Sequence, residues 1–194
     1  MYNNKRIAVN TVAIYCRLVL SSGIALFSTR YVLEALGEED FGLYNVIAGV
    51  VALFSFIAST MATTTQRFIS FTMGSAPDTG RIREVFGSSL CLHVVVAFVV
   101  AAVVLLGGWL LIDNVLSIPQ GKHSDALFVL VSVCFGLVGT IVSVPFEALL
   151  MAHENIVFVS VCQMFNTLVK LGGALLLLCL EADRLRIYAV IMAF

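Results

Sequence analysis

Two cations lie where a lipid-spanning chain least tolerates them: Arg17 inside the apolar run Ile7 to Phe27, and Lys170 inside the run Ile156 to Leu180. Each such cation costs roughly 2.5–3.5 kcal/mol near the centre of a spanning helix, so it normally faces a protein interior or a water-filled cavity. The chemistry that fits them is electrostatic capture of an anionic group at membrane depth. One acid needs an account beside them. Glu147 follows Pro145 by two residues near the end of the fourth apolar run. It is expected to meet water at the interface, to pair with a basic residue, or to carry a coupling proton.

The elements that must position these groups follow from composition. With 60% hydrophobic and 12% charged residues in 194, and a mean hydropathy of +1.04, the chain is too apolar for a soluble domain. The expectation is an all-α, polytopic transmembrane helix bundle, because the apolar runs lack the period-two alternation of a barrel strand. Spans are predicted at about 7–33, 41–71, 85–112, 126–151, 156–180 and 185–194. Short polar turns separate them: Gly37-Glu38-Glu39-Asp40, Gly74 through Gly80, Asp113 through Asp125, His153-Glu154-Asn155, and Glu181-Ala182-Asp183. Residues 1–194 are read as one transmembrane lobe. The last run closes at Phe194 only ten residues after Arg184, whereas a span needs about 17 or more, so an N-terminal fragment of a longer protein is expected. Pro145 is expected to kink the fourth helix or end its regular part.

Helical phase groups the polar residues. On the first helix Asn10, Arg17, Ser21 and Ser28 recur at intervals of seven, four and seven and share one stripe. Arg30 lies on another face, about 20 Å further along by the helical rise of about 1.5 Å per residue, where it can snorkel to an interface. In the second predicted span Asn45, Ser55, Ser59, Thr63, Gln66 and Ser70 form a broad stripe with Arg67 at its margin. In the fifth, Gln163, Asn166, Thr167 and Lys170 do the same. Three stripes suggest a shared hydrated cavity. Helix packing accounts better than a cavity for the serines and threonines taken singly, but packing does not require the full charges of Arg17 and Lys170.

Other chemistry has little footing. Cys16, Cys91, Cys134, Cys162 and Cys179 lie in apolar runs without CxxC spacing and read as small buried hydrophobes. His93, His123 and His153 have no His or Cys at ligand spacing, so no metal site is expected, and His93 reads as a packed polar residue. There is no Walker loop, GxGxxG or nucleophile elbow, so no cofactor and no catalytic residues are assigned and the chain is not expected to be an enzyme. Gly107-Gly108 and Gly172-Gly173 read as points of close helix approach. Loop cations number Lys5, Arg6, Arg81 and Arg83 on the N-terminal side against Lys122, Arg184 and Arg186 on the other, which favours a cytoplasmic N-terminus by one residue.

The stretches Phe41 to Val51 (FGLYNVIAGVV), Thr65 to Phe71 (TQRFISF) and Val144 to Glu154 (VPFEALLMAHE) resemble the N-terminal part of bacterial lipopolysaccharide and polysaccharide biosynthesis membrane proteins. These are the O-antigen flippase-like members of the multidrug, oligosaccharidyl-lipid and polysaccharide exporter superfamily. The resemblance extends over nearly the whole chain through diffuse motifs whose order and spacing agree with the helices. It implies the first of two lobes around a lumen that opens alternately to either side of the bacterial cytoplasmic membrane. It also implies a cationic lumen that moves undecaprenyl-diphosphate-linked oligosaccharide for surface polysaccharide biosynthesis. Arg17 and Lys170 would hold the diphosphate, Arg67 would add to the cationic lumen, and Asn10, Ser21, Asn45, Gln66, Gln163 and Asn166 would hydrogen-bond the sugar. Membrane lipids and other polysaccharide assembly proteins are the implied partners, and nucleic acid is not among them. Two positions depart from the pattern: a neutral polar residue is expected where Glu147 stands, and a basic one soon after Glu154, where this chain has Asn155. The alternatives are a cation-coupled multidrug exporter of the same superfamily, which predicts acids in the lumen, and a membrane-embedded enzyme or scaffold of polysaccharide assembly. The enzyme would need catalytic groups and a sizeable outer loop.

Overall fold

Long apolar runs without strand periodicity leave the backbone one way to satisfy itself in lipid, and the chain takes it throughout. The computed structural model describes residues 2–75, 79–116, 118, 121–179 and 183–193, with side chains described from residue 8 onward. The turn residues Ala76, Pro77, Asp78, Pro119, Glu181 and Ala182, the span ends Leu180 and Phe194, and the side chains of Lys5 and Arg6 lie outside the described residues. Among the described residues six helices follow one another: α1 (Tyr2–Ala52), α2 (Ser55–Ser75), α3 (Thr79–Asn114), α4 (His123–Ala152), α5 (Ile156–Cys179) and α6 (Arg184–Ala193). No strand occurs among the described residues.

The first two spans depart from the predicted boundaries. The turn expected at Gly37 to Asp40 is a single-residue break inside α1, where Gly37 adopts φ 77° and ψ 170°. A left-handed φ suits glycine because there is no Cβ to meet the carbonyl. The predicted span 41–71 is in turn broken at Leu53–Phe54, where three-residue hydrogen bonds from Leu53 to Val50 and from Phe54 to Val51 replace the helical ladder. Ser55 Oγ donates to the Ala52 carbonyl at 2.6 Å, taking over an acceptor the helix would have used. In α4, by contrast, the helix runs on through buried Pro145 to Ala152, so the proline does not end it.

α4 is the hub and packs against all five other helices, while α1 makes its main contact with α5. Ala126, Val129 and Ile141 of α4, Ala174 and Leu177 of α5 and Ala189 of α6 are fully buried. In lipid the hydrophobic effect does not drive such contacts, so close fit has to. Gly136 shows the requirement most sharply: a Cβ there would lie 2.9 Å from the backbone oxygen of Ala193, so α6 can seat on α4 only against a glycine. Of the two predicted glycine pairs, Gly108 meets Leu130 and Gly173 meets Ile191, whereas Gly107 and Gly172 face open space.

The outer surface is apolar. Leu26 is 78% exposed, and Phe71 and Phe98 are each 73% exposed. Among the described residues four helical stretches are long and apolar enough to cross a membrane: Ala8–Ser75 taken through its breaks, Thr79–Asn114, His123–Ala152 and Ile156–Cys179. The ten-residue α6 is too short to span by itself. Cys16, Cys91, Cys162 and Cys179 are exposed, against the expectation of burial, and only Cys134 is buried. A thiol gains little from leaving surroundings that are already apolar.

One end of the bundle carries a charged collar. Lys122, before α4, hydrogen-bonds Asp40 and reaches Glu39 at 3.8 Å. Arg186 of α6 donates from Nε to Asp125 at 2.8 Å and from Nη2 to the Ser124 hydroxyl at 3.1 Å, with its guanidinium 5.6 Å from the Phe128 ring centroid. His123 lies 2.6 Å from Asp113, and Arg184 donates to the Ala35 carbonyl at 2.9 Å. These contacts gather the α1 break, the α3–α4 connection and the start of α6 at one end, as alternating spans require.

Candidate functional site

The polar stripes of α1 and α5 face each other. Asn10, Arg17, Ser21 and Ser28 are half-buried while Val12, Leu18, Val19 and Leu20 around them are exposed, so the stripe turns inward on α1. Gln163, Thr167 and Lys170 are half-buried on α5 in the same way, and α5 is the helix against which α1 mainly packs. Both stripes have near-heptad spacing, which keeps one face of a helix against one neighbour.

Three helices meet at Gln163. Arg17 donates from Nη1 to the Gln163 amide oxygen, and the Gln163 amide nitrogen donates to a Glu147 carboxylate oxygen at 2.9 Å. The order is chemically forced: a guanidinium has only donors, an ionised carboxylate only acceptors, and a carboxamide has one side of each kind. Glu147 itself is exposed.

Lys170 stands seven residues beyond Gln163, on the same face and about 10 Å along the axis by the rise of about 1.5 Å per residue. Its ammonium donates to the Met192 backbone carbonyl at 3.3 Å. Lys170 and Asn166 line a cavity of about 630 Å³ with Phe165, Val169, Gly173 and Ile191. Asn10 lines a different one, of about 610 Å³, with His153, Glu154 and Asn155 at the end opposite the collar. Glu154 has a φ of 61° there, a turn conformation unusual for a residue with a Cβ.

The third stripe does not join them. On α2 the packed face is Ala58, Thr65 and Ile69, while Ser55, Ser59, Thr63, Gln66, Arg67 and Ser70 are exposed. Across the break at Leu53–Phe54 the buried positions Tyr44, Val51, Ala58 and Thr65 keep their seven-residue spacing, so Asn45 is exposed together with the α2 stripe, and its side chain donates to the Phe41 carbonyl at 2.7 Å. The hydroxyls of Thr63 and Thr64 likewise return to carbonyls four residues back, which satisfies them without a partner helix. A cavity shared by all three stripes is therefore not formed among the described residues. Arg67 instead lines a separate groove of about 440 Å³ with Thr63, Thr64, Phe68 and Phe71.

A second polar line was legible only in part. Thr65 Oγ1 lies 3.2 Å from Ser89 Oγ, and His93 Nδ1 lies 2.7 Å from the Ser89 carbonyl. His93 is 1% exposed, as a packed residue should be, but its Nε2 has no partner. The Met192 carbonyl is the functional neighbour that sequence reasoning missed, because a backbone acceptor leaves no mark in side-chain periodicity.

The fold and this constellation define a helical membrane protein with cations held between its helices. Comparison with protein-family models, with characterised proteins and with solved structures finds no match to the chain.

Proposed function

We propose that the chain is the first lobe of a two-lobed flippase of the bacterial cytoplasmic membrane, with a cytoplasmic N-terminus, that moves undecaprenyl-diphosphate-linked oligosaccharide for surface polysaccharide biosynthesis. The observation that carries this reading is the nature of the acceptors at membrane depth. Arg17 reaches an amide oxygen and Lys170 a backbone carbonyl. Both acceptors are neutral, so they satisfy donor geometry and leave the positive charge in place. A low-dielectric setting strengthens the attraction of that charge for an incoming phosphate. The resemblance of the FGLYNVIAGVV, TQRFISF and VPFEALLMAHE stretches supports the substrate class.

In this reading Arg17 and Lys170 bind the diphosphate along the α1–α5 face, and Asn166, beside Lys170, and Asn10, at the opposite end, hydrogen-bond sugar hydroxyls. The exposed stripe of α2, with Gln66 and Arg67, faces the second lobe. Rocking of the two lobes about a site near the bilayer midplane moves the headgroup while the polyprenyl tail stays in lipid. The test is surface-polysaccharide export in cells that depend on the protein, with Arg17→Ala and Lys170→Ala made singly at matched membrane abundance. Export is expected to fall at least about tenfold for each. Unchanged export in both would remove the anion-binding assignment.

A further inference from the structure

We infer that Gln163 is a positioning residue that keeps Arg17 and Glu147 from pairing with each other. Its amide stands between the two opposite charges, accepting from one and donating to the other, and so holds them apart. The inference rests on the anion-binding reading of Arg17 and gives Gln163 a different task from sugar recognition.

The argument is one of distance. Two hydrogen bonds in series across a carboxamide separate the guanidinium from the carboxylate by roughly 6–8 Å. Direct contact would bring them to about 3 Å, and because Coulomb attraction varies inversely with separation, the pull would roughly double. A directly paired arginine is neutralised and has its donors occupied. Glu147 is exposed, and the Gln163 amide is the group through which it and Arg17 are joined. What prevents the collapse is a side chain that offers each charge a better local partner than empty space. The carboxamide is suited to this because its two ends have opposite polarity, and its dipole is aligned by the charges it separates. A methionine of similar length offers the carboxylate no donor and the guanidinium only a weak acceptor, and a glutamate would itself neutralise Arg17.

The consequence is a dependence that a purely structural role would not produce. Loss of Gln163 damages anion binding through Glu147, so removing the Glu147 charge restores it. The experiment measures binding of farnesyl diphosphate to the purified protein in detergent for wild type, Arg17→Gln, Gln163→Met, Glu147→Gln and the double variant Gln163→Met with Glu147→Gln. Arg17→Gln is expected to weaken binding at least about tenfold, Gln163→Met about tenfold, and Glu147→Gln to tighten it a few-fold. The double variant is expected within about twofold of wild type, which also shows that Gln163→Met does not act by unfolding the bundle. If Arg17→Gln weakens binding but Gln163→Met does not, or the double variant stays as weak as Gln163→Met, the spacer role is wrong and the anion site stands. If Arg17→Gln leaves binding unchanged, the anion site fails and the spacer role fails with it.

Discussion

Two pairs of cations, Lys122 with Arg186 and Arg17 with Lys170, differ in the company they keep. At the collar, Lys122 and Arg186 meet carboxylates directly, with Asp40 and Glu39 on one and Asp125 on the other. At membrane depth, Arg17 and Lys170 meet an amide oxygen and a backbone carbonyl. Surface water would let these two collar charges stand alone at little cost, yet Lys122 and Arg186 are paired, while Arg184 beside them donates to the Ala35 carbonyl. The charges that lipid penalises most are given dipoles instead of counter-ions. The difference separates a fastening from a reserved charge: opposite charges joined at an end tie helices together, while a cation satisfied by neutral groups remains able to attract an anion.

The contrast is sharpest in function. Arg17→Ala and Lys170→Ala are expected to cut export at least about tenfold without lowering membrane abundance, whereas Lys122→Gln is expected to change export less than twofold at matched abundance. An equal loss from all three would erase the distinction. The next largest effect concerns the seat of α6. Gly136→Leu drives a side chain into the Ala193 backbone and is expected to destabilise the bundle by about 1–3 kcal/mol, read as a several-fold fall in folded protein by detergent thermal-shift or protease resistance. At the collar, Arg186→Ala loses the Asp125 and Ser124 bonds and the Phe128 contact. Because that arginine is 40% exposed, water screens the pair and the expected loss is about 1 kcal/mol, read in the same thermal assay.

The smallest effect is in pH and salt. The hydrogen bond to Asp40 holds the Lys122 ammonium above its ordinary value of 10.5, with smaller help from the nearby acids and some opposition from burial. Folding therefore raises this pKa. Its contribution is complete below the ordinary lysine value and is lost as pH climbs through the higher folded one. Thermal stability is expected to carry a small alkaline loss above about pH 10.5 that Lys122→Gln removes, and raised salt should weaken the collar in wild type more than in that variant. A Lys122→Gln protein with the same alkaline loss would deny Lys122 its part in the fastening.

The helical class and the membrane-spanning runs were legible because lipid admits few backbone solutions, and hydropathy alone marks them. The pairing of α1 with α5 was half legible: heptad spacing put Arg17 and Gln163 on inward faces of their helices, but nothing in the sequence chose α5 as the neighbour. The break at Leu53–Phe54 was hidden because it contains no glycine or proline, and the hydroxyl of Ser55 that caps it looks like any other stripe residue. The seven-residue spacing of the buried Tyr44, Val51, Ala58 and Thr65 carries through it, and Asn45 is exposed with the α2 residues of its stripe. Glu147 was read as an acid that meets water, pairs with a basic residue or carries a proton; it is exposed and accepts from the Gln163 amide, a neutral partner that side-chain charge alone did not point to. Four exposed cysteines were misjudged by a rule drawn from water-soluble cores, where burial means something that it does not mean in lipid.

Arg17 and its amide partner are 146 residues apart in the chain. At ordinary synthesis rates of about 5–20 residues per second, roughly 7–30 s pass between the ribosome making one and making the other. Helices α2, α3 and α4 are made within that interval, but the Arg17 guanidinium waits throughout it for the α5 amide that will accept its hydrogen bond. The bond that organises the finished bundle thus also sets a waiting time in its biogenesis, during which the insertion machinery must keep the first helix in its lateral gate or leave its arginine reaching for the interface.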